Sequence, residues 1–140
     1  MSGRAAGGDD ARDRASGGGI RHVALETARA EAPALVAFLA LLGFREVAAP
    51  AGLEEIALWL ERDGAQVHVL FEESPVAPPR GHLAVACGED YEATLGRLRD
   101  AGFEPRPRRE YWGSPRAYVR GPGGHLVEVM AFPPAPAAGA

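Results

Sequence analysis

The chain has 140 residues, 46% of them apolar, and its 15 basic and 19 acidic side chains give a formal charge of −4. That length suits one domain around one core, and the acidic balance leaves no basic face to neutralise a nucleic-acid backbone. The longest uncharged stretch, residues 32–44, has 13 residues and falls short of the ~20 that a membrane-spanning helix requires.

Residues 1–19 hold almost only Gly, Ala, Ser, Arg and Asp, too little apolar surface to offset the entropy of ordering. They are expected to form a disordered tail, and the lack of an apolar signal core there points to a cytoplasmic protein. Residues 133–140, rich in Pro and Ala, read as a flexible C-terminal tail. The folded domain is expected over 20–132, with a first module at about 20–74 and a second at about 80–132.

Within that span IRHVALE (20–26) alternates as a strand does. A helical stretch follows, with Leu35, Phe38, Leu39 and Leu42 on one face, and it ends at Gly43-Phe44. ALWLERDGAQVHVLF (57–71) reads as two strands about a turn at Asp63-Gly64. The order then recurs: strand RGHLAVAC (80–87), a helix burying Tyr91, Leu95 and Leu98, the pair Gly102-Phe103, and RAYVRGPGGHLVEVM (116–130) with a turn at Gly121 to Gly124. His82 follows His22 by 60 residues and Glu128 follows His68 by 60, a weak internal repeat. The expected fold is α+β: two tandem βαβββ modules forming a curved, barrel-like mixed sheet with helices outside and a central concave site.

Strand parity selects the chemistry. Val23 and Leu25 belong under a helix, which turns His22 to the other face; by the same count His68 and Gln66, His82, and Glu128 all avoid the helical layer. A carboxylate in mid-strand needs a partner if it is buried. Three imidazoles and one carboxylate form a ligand set suited to Zn, Fe, Mn, Ni or Co. Each strand histidine alone reads more simply as a hydrogen-bonded residue; the repeat-equivalent placement of three of the four histidines favours a divalent-metal site. His125, of opposite parity, reads as structural, and Cys87, the only cysteine, as a small core hydrophobe.

With IRHVAL, LLGF, GAQVHVL, GHLAVAC, RLRDAGF and GPGGHLVEV in these positions, residues 20–132 resemble the vicinal oxygen chelate superfamily, which includes glyoxalase I, fosfomycin-resistance enzymes, extradiol dioxygenases and bleomycin-resistance proteins. The resemblance implies metal ligation by His22, His82 and Glu128. His68 stands where glyoxalases use a carboxylate or glutamine, so it departs from the strict glyoxalase pattern. The resemblance also implies a homodimer, in several relatives with a site built from modules of two chains.

The activity so implied is metal-dependent and glyoxalase-like: a small oxygenated substrate chelated through neighbouring oxygens, an enolate or oxyanion stabilised, and Glu128 able to move a proton. Gln66, Arg116, Tyr118 and Trp112 are substrate-binding candidates, Arg116 through a paired hydrogen bond to an anionic group. Trp59 reads as core. Arg106, Arg108 and Arg109 read as a solvated, Pro-stiffened loop, with anion steering as the functional alternative. The alternative overall function is metal-free sequestration of an antibiotic-like molecule, and a third is a metal kept for stability alone.

Overall fold

The computed structural model describes residues 19–136; of the segments expected as tails, 1–18 and 137–140 lie outside the described residues. The first module runs β1 (His22–Thr27), α1 (Ala32–Leu41), β2 (Arg45–Val47), β3 (Ala57–Arg62) and β4 (Ala65–Phe71). The second runs β5 (His82–Ala86), α2 (Tyr91–Asp100), β6 (Arg106–Arg108), β7 (Arg116–Arg120) and β8 (Leu126–Met130). This is the α+β pair of βαβββ modules expected from the repeat.

Each module forms its own four-stranded mixed sheet, in the orders β1-β4-β3-β2 and β5-β8-β7-β6. The opening strand lies parallel to the closing strand of its module, and the other pairs are antiparallel. A parallel partner requires a crossover, and α1 and α2 lie in those crossovers. Each helix starts from a 3-10 turn, Arg29–Glu31 or Gly88–Asp90, and ends at a Gly-Phe pair for a physical reason. Gly43 and Gly102 take φ of 91° and 92°, which non-glycine residues resist, and the amides of Phe44 and Phe103 then return to the carbonyls of Leu39 and Leu98. Both are Schellman caps.

The expected helix faces are buried: Leu35, Phe38, Leu39 and Leu42 on α1, and Tyr91, Leu95 and Leu98 on α2. They join Val67, Val69, Val85, Val127 and Val129 in one continuous core. Each sheet therefore keeps one face on the helices and leaves the other open. Phe38 meets Phe103 edge to face at 4.8 Å, tying α1 to the second module.

Two short strands were not legible. β2 (REV) and β6 (RPR) carry charges instead of an apolar alternation, and both lie at sheet edges, where charge and proline are tolerated. The Arg106–Arg109 segment is thus partly a paired strand and not only a loop.

The modules also meet at Gly121, where an added Cβ would stand 2.6 Å from the Phe38 ring. The backbone there has φ −95°, so the constraint is contact and not conformation. Gly121→Ala is expected to cost about 1–3 kcal/mol through overpacking, and Phe38→Leu in the same chain to recover part of that loss. Urea unfolding of the two single variants and the double variant measures it.

Candidate metal and substrate site

The open faces carry every candidate. On the first sheet, His22 lies opposite Gln66, and His68 lies opposite Trp59. The His68 ring is sandwiched, 4.0 Å from Trp59 at 10° and 4.1 Å from His22 at 17°, while its Nε2 meets Gln66 Oε1 at 2.8 Å. Trp59 is therefore not a core residue, as its sequence context implied: antiparallel pairing with His68 puts it on the open face. Applying strand parity to β3 as well as β4 would have found it.

Burial, followed by the nearby His22, lowers the His68 pKa below its ordinary 6.5, so the neutral ring is favoured in the stack. The unfolded chain binds that proton more readily. The stack's contribution to stability is therefore present above the ordinary value and is lost as pH falls below it. His22→Ala removes both the like charge and part of the cover, and is expected to move the His68 titration midpoint upward in a proton NMR pH series; an unchanged midpoint would contradict the stacking account.

On the second sheet, Ala84 lies beside Glu128, and Glu128 beside Tyr118. Glu128 is 7% exposed. Its Oε2 lies 3.0 Å from His82 Nε2, and its Oε1 accepts a 3.2 Å bond from Arg116. The partner that a buried carboxylate needs is thus present twice. The other His82 nitrogen, Nδ1, lies 2.9 Å from the Arg80 carbonyl; because a carbonyl can only accept, Nδ1 carries the proton. In the neutral ring the Nε2 lone pair then faces a carboxylate oxygen, an arrangement that calls for a proton or a metal cation between them.

Arg116 is largely buried, its side chain only 11% exposed. Nε donates to the Arg109 carbonyl at 2.8 Å, NH1 reaches Tyr118 Oη at 3.5 Å, and the rings of Tyr111, Trp112 and Tyr118 surround it at 5.3–5.7 Å. Hydrogen bonds to Tyr118 and Glu128 raise its pKa further, so the charge facing Glu128 is permanent. Trp112 gives its indole N–H to the Phe132 carbonyl at 2.8 Å, leaving its ring beside Arg116. The Tyr118 ring sits 5.1 Å from His82. His125 is structural, 3% exposed, with Nε2 2.7 Å from the Glu26 carbonyl of the first module.

The candidates thus gather as two sets, His22–His68 with Gln66 and Trp59, and His82–Glu128 with Arg116 and Tyr118. Among the described residues no group of three His, Cys, Asp or Glu is placed to hold one ion. His22 and His82 both line a groove of about 670 Å³ where β1 and β5 approach, but the full set of four does not converge in the single chain.

The donor chemistry fits a metal unequally. His82 has its ring fixed through Nδ1, as metal-bound imidazoles do, and the 3.0 Å between Nε2 and Glu128 Oε2 leaves both atoms within reach of one ion with bonds of about 2.1 Å. His22 is exposed and its ring nitrogens are free to turn outward. His68 fits poorly: its Nε2 is engaged with Gln66, and nearly parallel stacked rings cannot direct in-plane lone pairs at one point.

The family model described as the Glyoxalase/Bleomycin resistance protein/Dioxygenase superfamily matches residues 19–129. Among solved structures, a glyoxalase-family protein from Bacillus anthracis is similar with TM-score 0.72 and 22% identity, over 81% of this chain and 93% of that one. Oxidase ChaP-H2 is similar with TM-score 0.67 and 22% identity, over 84% and 95%. The fosfomycin resistance protein FosX from Listeria monocytogenes is similar with TM-score 0.67 and 18% identity, over 82% and 91%. Comparison with curated proteins gave no match. Among the described residues no helix is long and apolar enough to cross a membrane.

Proposed function

Since the chain belongs to the Glyoxalase/Bleomycin resistance protein/Dioxygenase superfamily, we propose that it is a metal-dependent enzyme that binds a small oxygenated molecule at a divalent ion held by His22, His82 and Glu128. The observation that carries this reading is the His82–Glu128 contact, in which Nε2 and a carboxylate oxygen face each other at 3.0 Å while Nδ1 is committed to the Arg80 carbonyl. When bound, the ion supplies Lewis-acid polarisation of neighbouring substrate oxygens and stabilises a developing enolate or oxyanion.

The chain's own residues do the rest. Arg116 fixes Glu128 Oε1, which leaves Oε2 as the edge that holds a ligand or accepts a proton. Gln66 and Trp59 hold His68 in place, and His68 in turn supports the His22 ring, so His68 positions a ligand instead of serving as one. Exposed Ala24, Ala84 and Ala86 on the open faces leave room for substrate between these polar groups.

Because one chain places the ligands in two sets, the reading includes a homodimer in which each site takes His22 from one protomer and His82 and Glu128 from the other. The second reading, metal-free sequestration of a small molecule, draws on the Arg116–Glu128 ion pair, which already compensates the buried charge. Metal analysis separates the two. Protein purified without chelator is expected to bind one Zn, Fe, Mn, Ni or Co per chain, and His82→Ala or Glu128→Gln to lower affinity by at least tenfold; no uptake of any of these ions would leave only sequestration.

The dimer is tested by mixing. His22→Ala and Glu128→Gln chains, each deficient alone, are expected to regain metal binding when co-refolded, because a hybrid dimer contains one intact site. Absence of any recovery in hybrids shown to form would contradict a shared site.

A further inference from the structure

The open face of the second sheet carries an uncommon concentration of positive charge for a chain of net charge −4. Register sets Arg106 beside Tyr118 and Arg108 beside Arg116, and Arg120 follows Tyr118 with the same parity. Four guanidinium groups thus share one face with a single buried carboxylate, Glu128. Glu104, Arg106, Arg108, Tyr118, Arg120 and Leu126 line a groove of about 560 Å³ in which three guanidinium groups outnumber one carboxylate, and the Tyr118 ring lies 5.1 Å from His82.

The four charges are not equally compensated. Arg116 is neutralised by Glu128. Arg106 meets Glu104 at 3.2 Å, but both side chains are largely exposed, and such pairs are weak and readily exchanged. Arg120 donates only to two neutral acceptors, the Gly124 and Pro79 carbonyls, at 3.0 and 3.1 Å, which fix its guanidinium without cancelling its charge. Arg108 lies over the Tyr118 ring at 5.3 Å. Among the described residues no carboxylate stands within ion-pairing distance of Arg108 or Arg120. Arg120, fixed by neutral acceptors, and Arg108, over the Tyr118 ring, carry no counter-charge, and beside Arg106 with a labile one they form a receptor for an oxyanion.

We propose that this groove is an anion subsite, in which Arg108, Arg120 and Arg106 bind a carboxylate, phosphate or phosphonate group of the substrate while its neutral oxygens extend past Tyr118 toward His82 and Glu128. The inference deepens the proposed function by naming the substrate class, a small oxygenated acid, and rests on that reading for the orientation of the bound molecule. The binding of the anion itself needs no metal. A positive groove on an acidic protein also draws anions to this mouth in preference to the rest of the surface.

The test uses the full-length protein without metal, at constant ionic strength, with inorganic phosphate, methylphosphonate and acetate as separate probes, followed by NMR shifts and calorimetry. At least one probe is expected to bind with perturbations centred on Tyr118 and Leu126, and Arg108→Gln to weaken it roughly tenfold, the loss of one charge-assisted hydrogen bond. Arg108 has only the Tyr118 ring to lose, so this variant should melt as the parent does; Arg120→Gln provides a second reading if it does not. Arg45→Gln, on exposed β2, should change nothing. Selective binding of phosphate or phosphonate assigns a tetrahedral anion, and selective binding of acetate a carboxylate. Absence of binding by all three probes, or binding unaffected by both groove variants, overturns the subsite. Anion binding that persists in protein unable to take up any metal would refute the metal site and leave the subsite standing.

Discussion

A buried negative charge organises the second module. Glu128 sits in mid-strand on β8, 7% exposed, and a carboxylate there must be compensated. Compensation comes from two directions, the always-charged Arg116 on β7 and the His82 ring on β5, and each is fixed in turn, Arg116 by Arg109 and three aromatic rings and His82 by the Arg80 carbonyl. Removing the carboxylate would leave a half-buried guanidinium and an oriented imidazole with no common partner. The first module has no such charge at the equivalent position. His68 stands there instead, and the module is held by neutral stacking of Trp59, His68 and His22.

This asymmetry divides labour between related modules. On the proposed reading the second supplies the anionic ligand and the arginines that face substrate, and the first supplies an imidazole stacked on His68 and Trp59. The fold permits the division because every sheet buries one face and leaves the other open, and because parallel pairing of opening and closing strands sets His22 beside Gln66 and Ala84 beside Glu128.

Much of this was legible in the sequence. The 60-residue offset, the Gly-Phe helix ends and the strand alternation identified both modules, their helices and the open-face placement of His22, His68, His82 and Glu128. The charged edge strands β2 and β6 escaped because they bury no apolar face. Trp59 escaped because an aromatic residue in ALWLE resembles core until the register with β4 is known. Residue type alone could not show that Arg116 is caged or that His68 is committed to Gln66, since both depend on neighbours distant in sequence. Parity fixes a face but not how two faces are oriented, so it left open whether the four residues meet within one chain or across two.

The central claim is that His82 Nε2 and Glu128 Oε2 share a metal ion. Crystals grown with Mn or Zn and measured at the metal's absorption edge test it most directly. The account predicts an anomalous peak bonded to both atoms and to His22, contributed by a second protomer, with His68 still stacked between Trp59 and His22. No peak there, with the direct His82–Glu128 contact and the Arg116–Glu128 pair unchanged at saturating metal, would contradict it.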